Sequence, residues 1–251
     1  MNGKVSLVGA GPGCADLITV RGLRCIQAAD VLIYDRLIAM ELLDETSPQC
    51  EKIYVGKRKH LHTHSQGDIC SMLIEHAQAG KNVVRLKGGD PFIFGRGGEE
   101  IDALIEHDID WEVVPGVTAV SGAAAALGLP LTHRSESQAL TLITAHRRNG
   151  EFDIDWDLVI NSQQTVAFYM ALTCASQLVQ GLMKRGKPPG TPFTIIANAT
   201  KPNQIADTCT LAEAEALLAA NSYPSPALLV LGPMPRTSQS ASDSQAITVA
   251  L

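Results

Sequence analysis

No C-x-x-C pair occurs among the six cysteines, Cys14, Cys25, Cys50, Cys70, Cys174 and Cys209. That scatter indicates neither a zinc site nor a disulfide framework and reads as reduced thiols in a cytoplasmic protein. An excess of positive charge is also missing: Lys+Arg 20 against Asp+Glu 26 leaves a net charge of -6, which excludes a general binder of nucleic acid or acidic membrane. Any anionic ligand must therefore meet a local basic cluster. No membrane span is expected, because the longest run of mostly small apolar residues, Ala119 to Leu131, is broken by Gly122, Gly128 and Pro130. No basic, apolar and cleavage-site leader opens the chain, and no G-x-x-x-x-G-K-[ST] occurs, so an ordinary P-loop is out.

What is present is an alternation of short β-branched runs with longer amphipathic stretches, the pattern of βαβ units and a largely parallel sheet. Strands are expected at Lys4–Val8, Val31–Tyr34, Lys52–Val55, Asn82–Leu86 and Trp111–Val114. Helices are expected from Asp16 to Ala29 with Asp16 as N-cap, around Ile38 to Leu43, from Ser65 to Ala79 with Ser65 as N-cap, and from Gly98 to His107. An Ala- and Gly-rich helix from Val117 to Leu127 then leads into a second unit with strands at Ala139–Thr144, Thr165–Tyr169, Phe193–Ala197 and Ala227–Leu231. The expected organisation is two α/β domains, 1–116 and 117–236, followed by a mobile Ser-rich tail, 237–251.

The chemically unusual segments follow directly on the expected strands. Gly9-Ala10-Gly11-Pro12-Gly13 follows the first, Asp35-Arg36 the second, Gly56-Lys57-Arg58 the third, Lys87-Gly88-Gly89-Asp90-Pro91 the fourth and Pro115-Gly116-Val117-Thr118 the fifth. In open α/β sheets ligands sit outside the carboxyl ends of the strands, so all five segments converge on one crevice. As a dinucleotide fingerprint the first glycine cluster is imperfect, since Cys14 stands where G-x-G-x-x-G needs glycine and Pro12 lacks an N–H. Asp35 nevertheless stands where a ribose-binding acid would, which keeps a nicotinamide-dependent oxidoreductase open as the alternative. Segment 85–100 carries five glycines, two arginines, a lysine and three acids in sixteen residues. Such a composition packs poorly and suits a loop whose backbone approaches a ligand closely.

Those segments, with Tyr34-Asp35-Arg36-Leu37, Val55-Gly56-Lys57-Arg58, Pro130-Leu131-Thr132-His133-Arg134 and Phe168-Tyr169-Met170, resemble in order the uroporphyrinogen-III C-methyltransferases. The resemblance runs from about Gly3 to Gly232. It implies the tetrapyrrole methylase (class III methyltransferase) architecture: two α/β domains with the active site in the cleft between them, and a homodimer. It also implies S-adenosylmethionine as cofactor, S-adenosylhomocysteine as product and no metal. The implied reaction is methylation of uroporphyrinogen III at C-2 and C-7 to precorrin-2, which feeds sirohaem, cobalamin or haem d1 synthesis. Departures from the family pattern include Cys14 in place of Asp, Lys59-His60 after Lys57-Arg58, and Ala171 after Met170.

Residue by residue, the resemblance makes Asp35 the candidate proton acceptor and Lys57 the candidate donor, with Arg96 and Glu99 as rival participants. It assigns Pro12, Gly88, Gly89, Asp90, Ile93, Thr118, Ala119, Met170, Ala199 and Ala227 to the cofactor, and Arg36, Arg96, Arg134 and Met170 to the substrate. Eight substrate carboxylates facing a protein of net charge -6 require a focused basic wall. Arg36, Lys57, Arg58, Lys59, Arg96, His133, Arg134, Arg147 and Arg148 are its candidates, since arginine forks match carboxylates. The alternating His60, His62 and His64 are read as a loop facing substrate or solvent, not a metal site. With its first strand at residue 4, the chain leaves no room for the dehydrogenase and chelatase module of bifunctional relatives, so its expected end point is precorrin-2. A catalytically silent tetrapyrrole-binding protein and other precorrin methyltransferases remain alternatives that cofactor binding and turnover separate.

Overall fold

The computed structural model describes residues 2–56, 64–145, 153–160 and 164–232. The chain divides into two compact units, Met1–Gly122 and Ala123–Leu251, and each is built on its own five-stranded sheet. Among the described residues no helix is long and apolar enough to cross a membrane.

The first unit runs β1 (Lys4–Gly9), α1 (Val20–Gln27), β2 (Val31–Tyr34), β3 (Glu51–Tyr54), α2 (Gln66–Gln78), β4 (Val83–Lys87), α3 (Gly97–Glu106) and β5 (Asp110–Val114). Its strands are parallel in the order β3-β2-β4-β1-β5. Successive strand residues point to opposite faces, so Val5, Leu7, Ile33 and Val83 pack with Leu73 and Ile74 of α2 and Ile101 and Leu104 of α3. Val8, Leu32, Val84 and Leu86 pack on the other side with Ile26 of α1 and with Leu42 of a 3-10 turn at Met40–Leu43. Because both faces are covered there, the inner strands β1 and β2 read as near-continuous apolar runs, whereas β3 and β5 at the two edges carry charged residues.

Local chemistry sets the helix boundaries. Ser65 caps α2 through a reciprocal capping box: its Oγ accepts from Asp68 N at 3.1 Å, and Asp68 Oδ2 accepts from Ser65 N at 2.6 Å. The expected cap at Asp16 is corrected. Asp16 lies inside a 3-10 turn, Ala15–Leu17, and Ile18 and Thr19 are extended, so a helix cannot run through them. Thr19 is the cap of α1 instead, its Oγ1 accepting from Gly22 N at 3.0 Å.

Helix α4 (Ala119–Ala126) follows β5. The second unit continues with β6 (Leu140–Thr144), α5 (Trp156–Ile160), β7 (Thr165–Tyr169), α6 (Ala175–Lys184), β8 (Pro192–Ala197), β9 (Ile205–Thr210), α7 (Ala214–Ala220) and β10 (Ala227–Leu231). The sheet order is β6-β7-β10-β8-β9, parallel between β6 and β7 and antiparallel elsewhere. Val166, Phe168, Phe193, Ile195, Leu229 and Leu231 on one face share a core with Leu178, Val179 and Leu182 of α6. Lys187 is buried, and its Nζ donates to the Val159 carbonyl at 3.0 Å and the Ile160 carbonyl at 3.4 Å, which closes the carboxyl end of α5. Strand β9, absent from the expected elements, is an edge with no buried residue, whose Ile-Ala-Asp-Thr-Cys-Thr lacks an apolar run.

On the edge strand β5 of the first sheet, Glu112 accepts from Ser6 Oγ at 2.9 Å, from Lys4 Nζ at 2.8 Å and from Arg21. Hydrogen bonding by Lys4, reinforced by Ser6 and Arg21 against the opposing effect of burial, holds its carboxyl at about 2. A depressed carboxyl pKa contributes stability that is present above the unfolded value, near 4.5, and lost as pH falls through the folded one. Glu112→Gln is expected to cost on the order of 1–2 kcal/mol at neutral pH, allowing for the exposed partners. The difference should vanish as urea titrations are repeated from about pH 4.5 down to about pH 2.

Candidate active site

The strand order of the first unit creates a switch point. From β1 the chain departs toward β2, and from the adjacent β4 it departs toward β5. The loops after β1 and β4 thus diverge to opposite faces and open a crevice at the carboxyl ends of the strands. Three glycine-bearing loops line it. Gly11 and Gly89 exchange backbone hydrogen bonds, Gly11 N to Gly89 O at 3.2 Å and Gly89 N to Gly11 O at 2.7 Å. A Cβ on Gly116 would collide with the Gly89 carbonyl oxygen, and one on Gly9 would lie 2.5 Å from Gly116 N. The loops after β1, β4 and β5 are therefore packed backbone against backbone, which only glycine allows here.

Asp90 fastens two of these loops together. Its Oδ1 accepts from Phe92 N at 2.8 Å and its Oδ2 from Gly116 N at 3.0 Å. The side chain is thus a clamp that ties the loop after β4 to the loop after β5. Beyond it, Phe94 and Arg96 adopt left-handed backbone with φ of 53° and 61°. Non-glycine residues in that region cost roughly 1–2 kcal/mol each, and such strain concentrates at ligand sites. Pro12, Gly88, Gly89, Ile93, Thr118 and Ala119 are all partly exposed around the same edge.

The loop after β2 joins them. Asp35 Oδ1 accepts from Leu37 N at 2.9 Å, while Asp35 Oδ2 accepts from Arg85 Nη2 at 3.1 Å. Arg36 is exposed beside it. Arg96 and Glu99 form a two-pronged pair, Nε to Oε1 at 2.8 Å and Nη2 to Oε2 at 2.6 Å. Hydrogen bonding to Glu99 pushes the Arg96 pKa up still further, so this guanidinium stays a cation and suits an anchor better than a proton acceptor. Both side chains are about half exposed, 55% and 54%, so exchanging Glu99 for another carboxylate costs little. Lys57, together with Arg58, Lys59, His60, His62, Arg147, Arg148 and the expected tail, lies outside the described residues.

In the second unit Met170, Ala199 and Ala227 fall on one edge of the sheet. Ala227 pairs with Ala197 and Leu228 with Tyr169, so the carboxyl ends of β7 and β8 and the start of β10 coincide. Met170, Asn198 and Thr200 there have left-handed φ of 56°, 50° and 64°, and the Met170 side chain is exposed. Arg134 is exposed in the turn closed by His133 N to Ser137 O at 2.7 Å.

A buried charge network behind Asp35 escaped sequence reasoning. Glu100, fully buried, accepts at Oε1 from Lys87 Nζ at 2.9 Å, Gln66 Nε2 at 3.1 Å and Arg85 Nε at 3.3 Å. Burial, aided by the Arg85 charge and opposed by Glu100, pushes the Lys87 pKa down. The available signal was the alternation Arg85, Lys87 in an otherwise apolar strand, which puts both cations on one face of the sheet.

A parallel sheet with a glycine-lined crevice at its switch point, charged side chains rising from the strand ends and no G-x-x-x-x-G-K-[ST] loop defines a class of α/β proteins that bind small ligands against exposed backbone. Residues 4–215 match the family model of tetrapyrrole (corrin/porphyrin) methylases, and the chain belongs to that family. It is 48% identical over 230 residues to the siroheme synthase of Chromobacterium violaceum, which covers 92% of this chain and 49% of that protein. The chain thus spans about half the length of the curated relatives it matches. Among solved structures it is similar to the uroporphyrin-III C-methyltransferase of Thermus thermophilus. The native form has a TM-score of 0.79 and 35% identity, covering 92% of this chain and 97% of that one. The same Thermus protein has been solved in complex with S-adenosylhomocysteine, with the same match. A cobalt precorrin-4 methyltransferase matches with a TM-score of 0.81 and 29% identity, over 91% of this chain and 94% of that one.

Because the crevice walls meet through Gly9, Gly89 and Gly116, Gly116→Ala should lower stability by about 1–3 kcal/mol. Gly98→Ala, where an added Cβ meets nothing within 4 Å, should be neutral or slightly stabilising. Urea denaturation of the two variants side by side checks the contrast.

Proposed function

We propose that this protein methylates uroporphyrinogen III at C-2 and C-7 with S-adenosylmethionine as donor, giving precorrin-2 and S-adenosylhomocysteine. The observation that carries this proposal is the glycine-walled crevice at the switch point, with Arg96 at the start of α3 and Glu99 in its first turn on the rim. Similarity to the Thermus enzyme over nearly its whole length supports the choice of substrate. The exposed backbone around Gly88 and Gly89, where Gly89 has a φ of 68°, fits a ligand that is recognised through amides and carbonyls. Pro12, Gly88, Gly89, Asp90, Ile93, Thr118 and Ala119 would hold the cofactor in the first unit, and Met170, Ala199 and Ala227 are assigned to it in the second.

S-adenosylmethionine supplies an electrophilic methyl group, and the protein's task is to hold the attacking pyrrole carbon in line and to exclude competing water. Arg36, Arg96 and Arg134 would take substrate carboxylates as charge-assisted partners, with Met170 as an apolar contact. After methyl transfer a ring proton must leave, and the C–H electron pair returns to the ring. Asp35 is proposed as the acceptor of that proton and Lys57 as a proton donor. Glu99 keeps Arg96 oriented until the substrate displaces it. We further assign the protein to the cytoplasm as a homodimer, with neither nucleic acid nor membrane as partner. Six cysteines without a disulfide fit the cytoplasmic part of that assignment and the net charge of -6 fits the lack of an anionic polymer as partner, while the homodimer rests on the family resemblance.

Anaerobic incubation with S-adenosylmethionine and uroporphyrinogen III should add two methyl groups by mass spectrometry. A protein that binds the cofactor yet adds none would sink the substrate assignment. Arg96→Ala should reduce kcat/KM by roughly a hundredfold or more while cofactor affinity stays near normal. Gly89→Val, which places a β-branched residue in left-handed backbone, should instead weaken cofactor binding measured by calorimetry.

A further inference from the structure

Arg85 sits on β4 with only 5% of its side chain exposed, and its guanidinium reaches in three directions. Nε donates to Glu100 Oε1 at 3.3 Å. Nη1 donates to the Leu86 carbonyl at 2.8 Å and the Ile33 carbonyl at 3.4 Å. Nη2 donates to Asp35 Oδ2 at 3.1 Å. A guanidinium is planar and rigid, so fixing Nε and Nη1 fixes the direction of Nη2. The other oxygen of Asp35 is held by Leu37 N. The carboxylate is therefore gripped at both oxygens, once by backbone and once by a side chain locked from behind.

Glu100 is the lock. It is fully buried and takes three donors on Oε1, while Oε2 has no hydrogen-bond partner among the described residues. A side chain kept only to fill space between α3 and the sheet would be apolar there, because an orphaned buried oxygen is costly. Concentrating Arg85, Lys87 and Gln66 on a single oxygen is the geometry of an anchor.

We propose that Arg85, anchored by Glu100, is a positioning residue that fixes the direction of the Asp35 carboxylate for proton acceptance during methylation. This rests on the assignment of Asp35 as the acceptor. Lysine in place of Arg85 is a compact point charge and cannot span Glu100, two carbonyls and Asp35 at once. Misplacing a reacting group by about an ångström can cost roughly a hundredfold in rate, so the charge alone is not sufficient.

The test is a double-mutant cycle on the full chain, read as single-turnover methylation rate, with S-adenosylmethionine affinity by calorimetry and thermal midpoint measured on every variant. Arg85→Lys should lower the rate by roughly ten- to a hundredfold, while cofactor affinity and the substrate KM stay within about twofold. In an Asp35→Asn background the same substitution should have no further effect, since its route to the reaction is already gone. Glu100→Gln keeps an acceptor oxygen and the shape of the site, and it should follow the same pattern with a smaller loss; it decides the matter if Arg85→Lys fails to fold. Equal factors in both backgrounds, or wild-type rates in both single variants, would overturn the positioning role while leaving Asp35 as acceptor. A wild-type rate in Asp35→Asn alone would remove the acceptor assignment and the positioning role with it.

Discussion

Two cations and one carboxylate are buried together in the first unit, where Arg85 and Lys87 rise from one strand toward Glu100 on a helix. Taking these charges out of water is costly, and removing one partner of such a set destabilises a protein by about 3–5 kcal/mol. The arrangement persists because it joins β2, β4, α2 and α3 just below the crevice. It gives Asp35 a fixed partner at the rim and makes the floor of the crevice rigid. A rigid floor is what lets the rim above it carry left-handed residues such as Phe94 and Arg96, since strain survives only where the surroundings over-determine the backbone.

The acidity of the whole chain and the basicity of the candidate substrate residues are not in conflict. A net charge of -6 acts over a distance and is screened within about 10 Å at ordinary salt, whereas arginine forks act at hydrogen-bond range. The Arg96–Glu99 pair expresses both requirements at once. Alone it is neutral and keeps the rim from attracting stray anions, and against a carboxylate-rich ligand it can change partners. Methyl transfer itself needs no strong acid or metal from the protein, so the chemistry asks mainly for placement. The glycine contacts, the Asp90 clamp and the gripped Asp35 of the first unit all fix geometry at the strand ends.

Among the described residues, periodicity located nine of the ten strands to within one residue at each end, because strands are rich in β-branched residues and bounded by turn-forming residues. The edge strand Ile205–Thr210 escaped because exposed edges need no apolar run. Asp16 was a plausible cap by type, yet a cap also needs extended backbone followed by helix, and that belongs to Thr19. Within the site, the loops were legible because glycine and charge are conspicuous after a strand. The Arg85–Glu100 anchor was not, since a pair fifteen residues apart becomes a contact only when α3 folds back across β4. Left-handed Met170, Asn198 and Thr200 were equally invisible, because none of these residue types announces that conformation strongly.

The Asp90 clamp has a consequence for how this fold can be re-engineered. One carboxylate holds the amide of Phe92, two residues away, and that of Gly116, twenty-six residues away. The two loops therefore constitute a single transplantable part. Exchanging the 88–97 loop with that of another methylase without its own 115–118 partner would put at risk the acceptor of the Gly116 amide and the fit where the backbones now touch. Recombination between relatives should accordingly succeed only when its crossover points leave both segments with the same parent.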